Sequence, residues 1–191
     1  MVEEVAALLL EISGRWWLSG GWGIDEFATG GRASREHGDV DVSVARQDWP
    51  AFWSELHGRL DLRVADAGRL DEPARERVGG HVRNIWAREW AGGPWRLQIN
   101  LEETEGDLWR YRRNPHVSRP ISQVRWWSGR TWCIAPAVQL LWKAKSPRPN
   151  DEHDCAITLP KLPVDERAWL AQAIRLAHPE SPWADRLRQT G

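Results

Sequence analysis

Apolar and polar positions alternate along this chain with two periods, and the changes between them divide it into elements. Residues 2–12 carry apolar side chains at helical spacing, 15–18 form a short apolar strand, 22–29 return to the helical period, and 39–45 alternate as a strand. The run from Trp49 to Leu60 places Phe52, Trp53, Leu56 and Leu60 on one stripe, with Asp48 before it as N-cap and Pro50 at the first helical position. Residues 61–65 suit a strand, and the charged, glycine-containing stretch 66–80 reads as a mobile connection. Val82–Arg88 and Trp95–Glu102 form a predicted hairpin around Ala91-Gly92-Gly93-Pro94, and residues 124–127 and 131–134 a second around Ser128-Gly129. Ala135-Pro136 opens a helix to about Lys145, the proline-rich 146–149 closes it, and 165–176 are helical again. The pattern predicts an α/β (α+β) protein: a mixed sheet with helices over 1–134, then a helical C-terminal part over 135–191.

Two short segments carry chemistry. Ser19-Gly20-Gly21 lies where the 15–18 strand passes into the following helix, where glycine permits close approach of a ligand to the backbone and freed helix N-terminal amides face an anion. About twenty residues on, Asp39 and Asp41 fall on one face of a strand, their Cα atoms roughly 6.5 to 7 Å apart. Two such carboxylates suit Mg²⁺, which takes one or two protein oxygens and leaves its other positions to water and phosphates. A glycine pair is an ordinary turn when alone, and an Asp-x-Asp an ordinary solvated strand edge. Together they point to nucleotidyl transfer.

Composition narrows the partners. The chain has 191 residues, 41% apolar and 28% charged, which suits a water-soluble globular protein with one sizeable core. A net charge of −1 argues against stable nucleic-acid binding through phosphates. The apolar run 5–10 is too short to span a bilayer, and Glu3 and Glu4 stand where a signal peptide would be basic, so a cytoplasmic protein without membrane attachment is expected. Cys133 and Cys155 have no metal-ligand spacing and read as buried thiols. Among 26 basic residues only Lys143, Lys145 and Lys161 are lysines; the first two sit at a helix C-terminus, where they either meet a ligand or complement the macrodipole. Trp22, Trp109, Trp126 and Trp127 are candidates to stack on a base or sugar, and His37 to orient the acidic strand by a hydrogen bond.

Gly20-Gly21-Trp22-Gly23-Ile24-Asp25 followed by Arg35-Glu36-His37-x-Asp39-x-Asp41 resembles the small bacterial nucleotidyltransferases of the DNA polymerase β superfamily, in particular the aminoglycoside 2″-adenylyltransferases and lincosamide nucleotidyltransferases. The resemblance continues through Gly106-Asp107-x-Trp109-x-Tyr111-Arg112-Arg113, the segment 135–145, and Arg148-Pro149-x-Asp151-Glu152-x-Asp154. It implies an Mg²⁺-dependent transfer of a nucleoside monophosphate, AMP from ATP or another nucleoside triphosphate, to a hydroxyl of a small acceptor, an aminoglycoside-type antibiotic being one candidate. Asp39 and Asp41 would hold the metal; Ser19, Gly20, Gly21, Arg35 and Lys143 would bind the nucleotide.

That family takes a third carboxylate from a neighbouring strand. Here the 95–102 strand offers Gln98, Asn100 and Glu102 on its polar face, and of these only Glu102 accepts a proton. Either Glu102 is the general base, or the base is weakened or comes from elsewhere. In the second case the chain would be a nucleotide-binding or interaction module on the same fold. The acidic run 102–107 would attract a polycationic acceptor, or is a solvated hairpin turn.

Overall fold

A computed structural model of the chain describes residues 2–66 and 69–187. Its elements in chain order begin with α1 (Val2–Leu10), β1 (Trp16–Ser19), α2 (Gly20–Thr29), β2 (Val40–Ala45), α3 (Trp49–Leu56), β3 (Asp61–Asp66) and β4 (Arg69–Pro73). There follow β5 (Asn84–Arg88), β6 (Leu97–Glu105), β7 (Leu108–Arg110), β8 (Ser118–Pro120), β9 (Arg125–Trp127) and β10 (Trp132–Ile134). The last helices are α4 (Pro136–Lys143), α5 (Pro149–Thr158), α6 (Val164–Ala177) and α7 (Pro182–Arg186).

The strands make one mixed sheet in the order β4-β3-β5-β6-β2-β1-β10-β9, with β7 and β8 continuing from the far end of β6. β1 pairs with β10 and β2 with β6 in parallel, and the other pairs are antiparallel. The fold class expected from the pattern is observed. The stretch 66–80 is not merely a connection, because Arg69–Pro73 pairs with β3; Ala67 and Gly68 lie outside the described residues. Asp48 does not cap α3 with its side chain. Its Oδ2 instead accepts 2.8 Å hydrogen bonds from the backbone N and Nε of Arg15.

Alternation sorts the central strands onto two faces. Val40, Val42 and Val44 bury in a core with Leu9, Phe52, Ile85 and Ile99, beneath α1 and α3. Trp17 points the other way, into a core shared with Ile24, Trp109, Tyr111, Leu140, Leu141, Leu170 and Trp183. Asp41 and Ser43 of β2, and Gln98, Asn100 and Glu102 of β6, fall on this second face. Polar side chains in the middle of a sheet are thus set opposite α4 and α5 rather than toward open solvent.

Candidate active site

The central strands bring the polar residues into rows. Ser19 of β1 pairs with Asp41 of β2, which pairs with Gln98 of β6. One level further are Trp17, Ser43, Asn100 and, across on β5, Asn84. Glu102 lies a level further again, opposite Ala45. Four residues along a strand separate Gln98 from Glu102 by about 13 Å.

At the end of β1 the chain turns into α2 with Gly20 at φ +63°, the left-handed region that glycine enters without steric cost. A Cβ on Gly20 would clash with Asp41 Oδ2, and one on Gly21 with Arg35 Nη2 and the His37 ring. Both glycines are therefore required by close packing at this turn. The Gly20 N–H donates 2.8 Å to Gln139 Oε1 of α4, which ties the turn to the C-terminal helices. Ser19 is buried and its hydroxyl makes no capping bond.

Asp41 receives a 3.3 Å hydrogen bond from Asn100 Nδ2 at Oδ1. Burial first, and the charge of Asp39 second, push its carboxyl up to about 6. Neither Asp39 nor Asp41 forms an ion pair with a protein cation among the described residues. A desolvated carboxylate beside a second acid is what a bound cation relieves. Among the described residues no group of three or more acidic, His or Cys side chains stands ready for a metal. The donor set is thus two carboxylates, which fits Mg²⁺ completed by water and phosphate oxygens.

The predicted cations are held by α5. Arg35 donates to Asp154 from Nε (2.9 Å) and Nη2 (3.0 Å). Lys143 Nζ lies 2.8 Å from Asp151 Oδ1 and 2.9 Å from Asp154 Oδ2. Arg148 pairs with Asp151 at 3.0 Å, and Asp151 also accepts from the Arg148 N–H to cap α5. Burial alone would raise both acids, but hydrogen bonds from these cations outweigh it, holding Asp154 below its ordinary value and Asp151 at about 2. Three cations face two carboxylates here, so the cluster keeps a positive surplus. Asp151 and Asp154 belong to the motif Arg148-Pro149-x-Asp151-Glu152-x-Asp154, and their spacing of three puts them on one face of α5.

A cavity of ≈350 Å³ is lined by Ser19, Gly20, Asp41, Glu102 and Lys143, among others. An adjoining one of ≈370 Å³ is lined by Gly21, Arg35, Asp39, Asp41 and Lys143. Every residue expected at the site lines one or both. Asp41, Lys143 and Arg148 are common to the two.

Residues 1–119 match the family model described as aminoglycoside-2″-adenylyltransferase. The chain belongs to this family. It is a nucleotidyltransferase. The fold is shared with the solution structure of the antibiotic-resistance factor ANT(2″)-Ia, at TM-score 0.61 and 16% identity over 100% of this chain and 96% of that one. It is shared also with ANT(2″)-Ia in complex with adenylyl-2″-tobramycin, at TM-score 0.56 and 15% identity over 90% and 94% of the two chains. The lincomycin-bound lincosamide adenylyltransferase LnuA aligns at TM-score 0.57 and 17% identity, over 83% of this chain and 94% of that one. No curated protein sequence matches the chain.

Within this family frame, Glu102 is the acid nearest in sequence pattern to a third carboxylate. It is buried, accepting 3.1 Å from Ser43 Oγ and 2.9 Å from Trp109 Nε1, and burial pushes its carboxyl up against the effect of both bonds. The positions level with Asp41 and Ser43 hold the amides Gln98 and Asn100, which with Asn84 form a hydrogen-bonded row ending on Asp41. Trp109 is fully buried against Glu102 and offers no stacking face. Trp22 packs against His37 in a tilted ring pair, with centroids 4.3 Å apart. His37 accepts from Arg35 at Nδ1 (3.2 Å) and donates from Nε2 to buried Asp25 (2.7 Å), so it orders the segment leading into the acidic strand. Cys133 and Cys155 are buried free thiols. Among the described residues no helix is long and apolar enough to cross a membrane.

Proposed function

We propose that this chain transfers AMP from ATP to a hydroxyl of a small acceptor, with Asp39 and Asp41 holding Mg²⁺. The observation that carries the reading is Asp41 itself: half-buried, beside Asp39, against the Gly20 turn, and in no ion pair among the described residues, while Lys143 and Arg148 line the same cavity. Mg²⁺ bound there supplies Lewis acidity and a template for the phosphates. The protein's own groups do the rest. Ser19 and the Gly21 amide receive phosphate oxygens at the start of α2, where Gln139 holds the Gly20 N–H and so fixes the turn. Arg35 and Lys143, pinned by Asp154, offset charge on the departing pyrophosphate without having to reorganise.

The acceptor hydroxyl attacks the α-phosphorus from the side opposite the pyrophosphate, forming the new P–O bond as the old one breaks. Its proton passes to Ser43 Oγ while the Ser43 proton passes to Glu102, whose proton affinity burial raises, as a general base needs. The acid pair and the cationic cluster support transfer over a module that only binds nucleotide. Incubating the chain with ATP, Mg²⁺ and hydroxylated antibiotics, followed by mass spectrometry, tests this reading. The expected result is an acceptor heavier by one AMP; no product from any acceptor, with intact nucleotide binding, contradicts it.

A further inference from the structure

We propose that Gln139 is a nucleotide-binding residue: its Oε1 fixes the Gly20 turn, and its Nε2 donates to an oxygen of the phosphate that the same turn receives. The inference rests on the reading above in one respect, that the nucleotide's phosphates lie at the start of α2. Gln139 stands in α4, outside the segment 1–119 that matches the family model. The C-terminal helices thus contribute a neutral donor to the site as well as the cation Lys143.

Around Gln139 the helix is apolar. Pro136, Ala137, Val138, Leu140 and Leu141 are all buried, and Gln139 among them is only 7% exposed. A primary amide in such a place is destabilising unless its polar atoms are matched. Half of that need is met, because Oε1 accepts the Gly20 N–H at 2.8 Å. This bond also fixes which way the amide points, since the opposite orientation would set donor against donor. Nε2 is left with two N–H donors and makes no hydrogen bond among the described residues. It is not sealed in the core, for Gln139 lines the cavity that Ser19, Gly20, Asp41 and Lys143 also line.

Donors of this kind select an oxygen. They pair with neither a metal ion nor an ammonium group, and an ionised phosphate oxygen is their strongest partner. Because the same amide holds the Gly20 N–H, its free donors lie beside the turn where the start of α2 faces an anion. Lys143 follows one turn later on the same face of α4 and lines the same cavity, so the helix presents a neutral double donor and then a cation along it. A neutral donor adds a phosphate contact without a further positive charge beside the metal held at Asp41.

The test is calorimetry of the full chain with pyrophosphate and with ATP, each in Mg²⁺, on wild type, Gln139→Glu and Gln139→Met. Glutamate keeps the length and the acceptor for the Gly20 N–H but presents a carboxylate oxygen where Nε2 stood; methionine keeps the length and loses both functions. Gln139→Glu is expected to weaken both ligands at least about tenfold, the loss of a hydrogen bond to a charged group with repulsion added, and to weaken them more than Gln139→Met does. A role confined to holding the turn gives the reverse order, with Gln139→Glu at wild-type affinity and only Gln139→Met weakened. That order, or wild-type affinity in both variants, overturns the proposal and leaves the phosphate reading standing. Failure of wild type to bind either ligand overturns both. If Gln139→Met does not fold, as thermal melting would show, Gln139→Glu decides alone.

Discussion

Arg35 and Asp154 are 119 positions apart in sequence and share two hydrogen bonds, one from Nε at 2.9 Å and one from Nη2 at 3.0 Å. Lys143 also pairs with Asp154, so one fully buried carboxylate fixes two of the cations proposed to meet the nucleotide. Asp154→Ala leaves Arg35 without its carboxylate and Lys143 with Asp151 alone, and should cost about 3 kcal/mol of stability, the lower end for a broken buried pair. Asp154→Asn keeps the shape and should retain more of it, while weakening nucleotide binding because Arg35 and Lys143 lose their anchor. Urea unfolding and nucleotide calorimetry on the two variants check the pair of outcomes; wild-type nucleotide affinity in Asp154→Asn would remove the anchoring role.

Glu102→Gln should lower turnover by about 10² to 10⁴, the usual contribution of a positioned base, with little change in nucleotide binding. Because Glu102 stands four residues beyond the partner of Asp41, Ser43→Ala should reproduce much of the loss. If both variants are nearly silent and Gln98→Glu raises activity, the proton leaves at the level of Asp41 instead. Pyrophosphate release across a pH series distinguishes these outcomes.

His178 gives the clearest dependence of stability on pH. Burial, then Arg113 and Lys145, lower it from 6.5 to about 4, and its Nε2 lies 2.7 Å from the Tyr111 hydroxyl. A histidine held neutral in the folded chain contributes its full stabilisation above about pH 6.5 and loses it as pH falls toward 4. Wild type should therefore lose Tm more steeply than His178→Gln between pH 6.5 and 4. Parallel curves over that interval would show that His178 does not carry the acid sensitivity.

The parts of this site that are legible in the sequence are local. Gly20 and Gly21 mark a turn because glycine alone tolerates its backbone and packing; Asp39 and Asp41 line one cavity, although β2 begins only at Val40 and Asp39 stands in the bend before it. What depends on distant packing is not legible. Asp151 looks like an ordinary first-turn helix acid, and Asp154 like one a turn further on, until α5 is laid against Arg35 and Lys143. The acidic run 102–107 reads as a cation trap until Arg46, Arg83 and Arg110 are seen to occupy it. β4 and β8 escape the pattern because short strands built largely from charged residues and proline carry no alternating apolar face, and β7, only Leu108 to Arg110, is too short to show a period.

The central claim is that Asp39 and Asp41 hold the cation that brings the nucleotide into the cavity. Calorimetric titration of ATP into wild type and Asp41→Asn, each in EDTA and in Mg²⁺, tests it most directly. Wild type should bind ATP weakly in EDTA and at least about tenfold more tightly with Mg²⁺, a difference of about 1.4 kcal/mol; Asp41→Asn, folded by circular dichroism, should show no gain from Mg²⁺. Equal affinity of wild type in both conditions, or an undiminished gain in Asp41→Asn, would contradict the account.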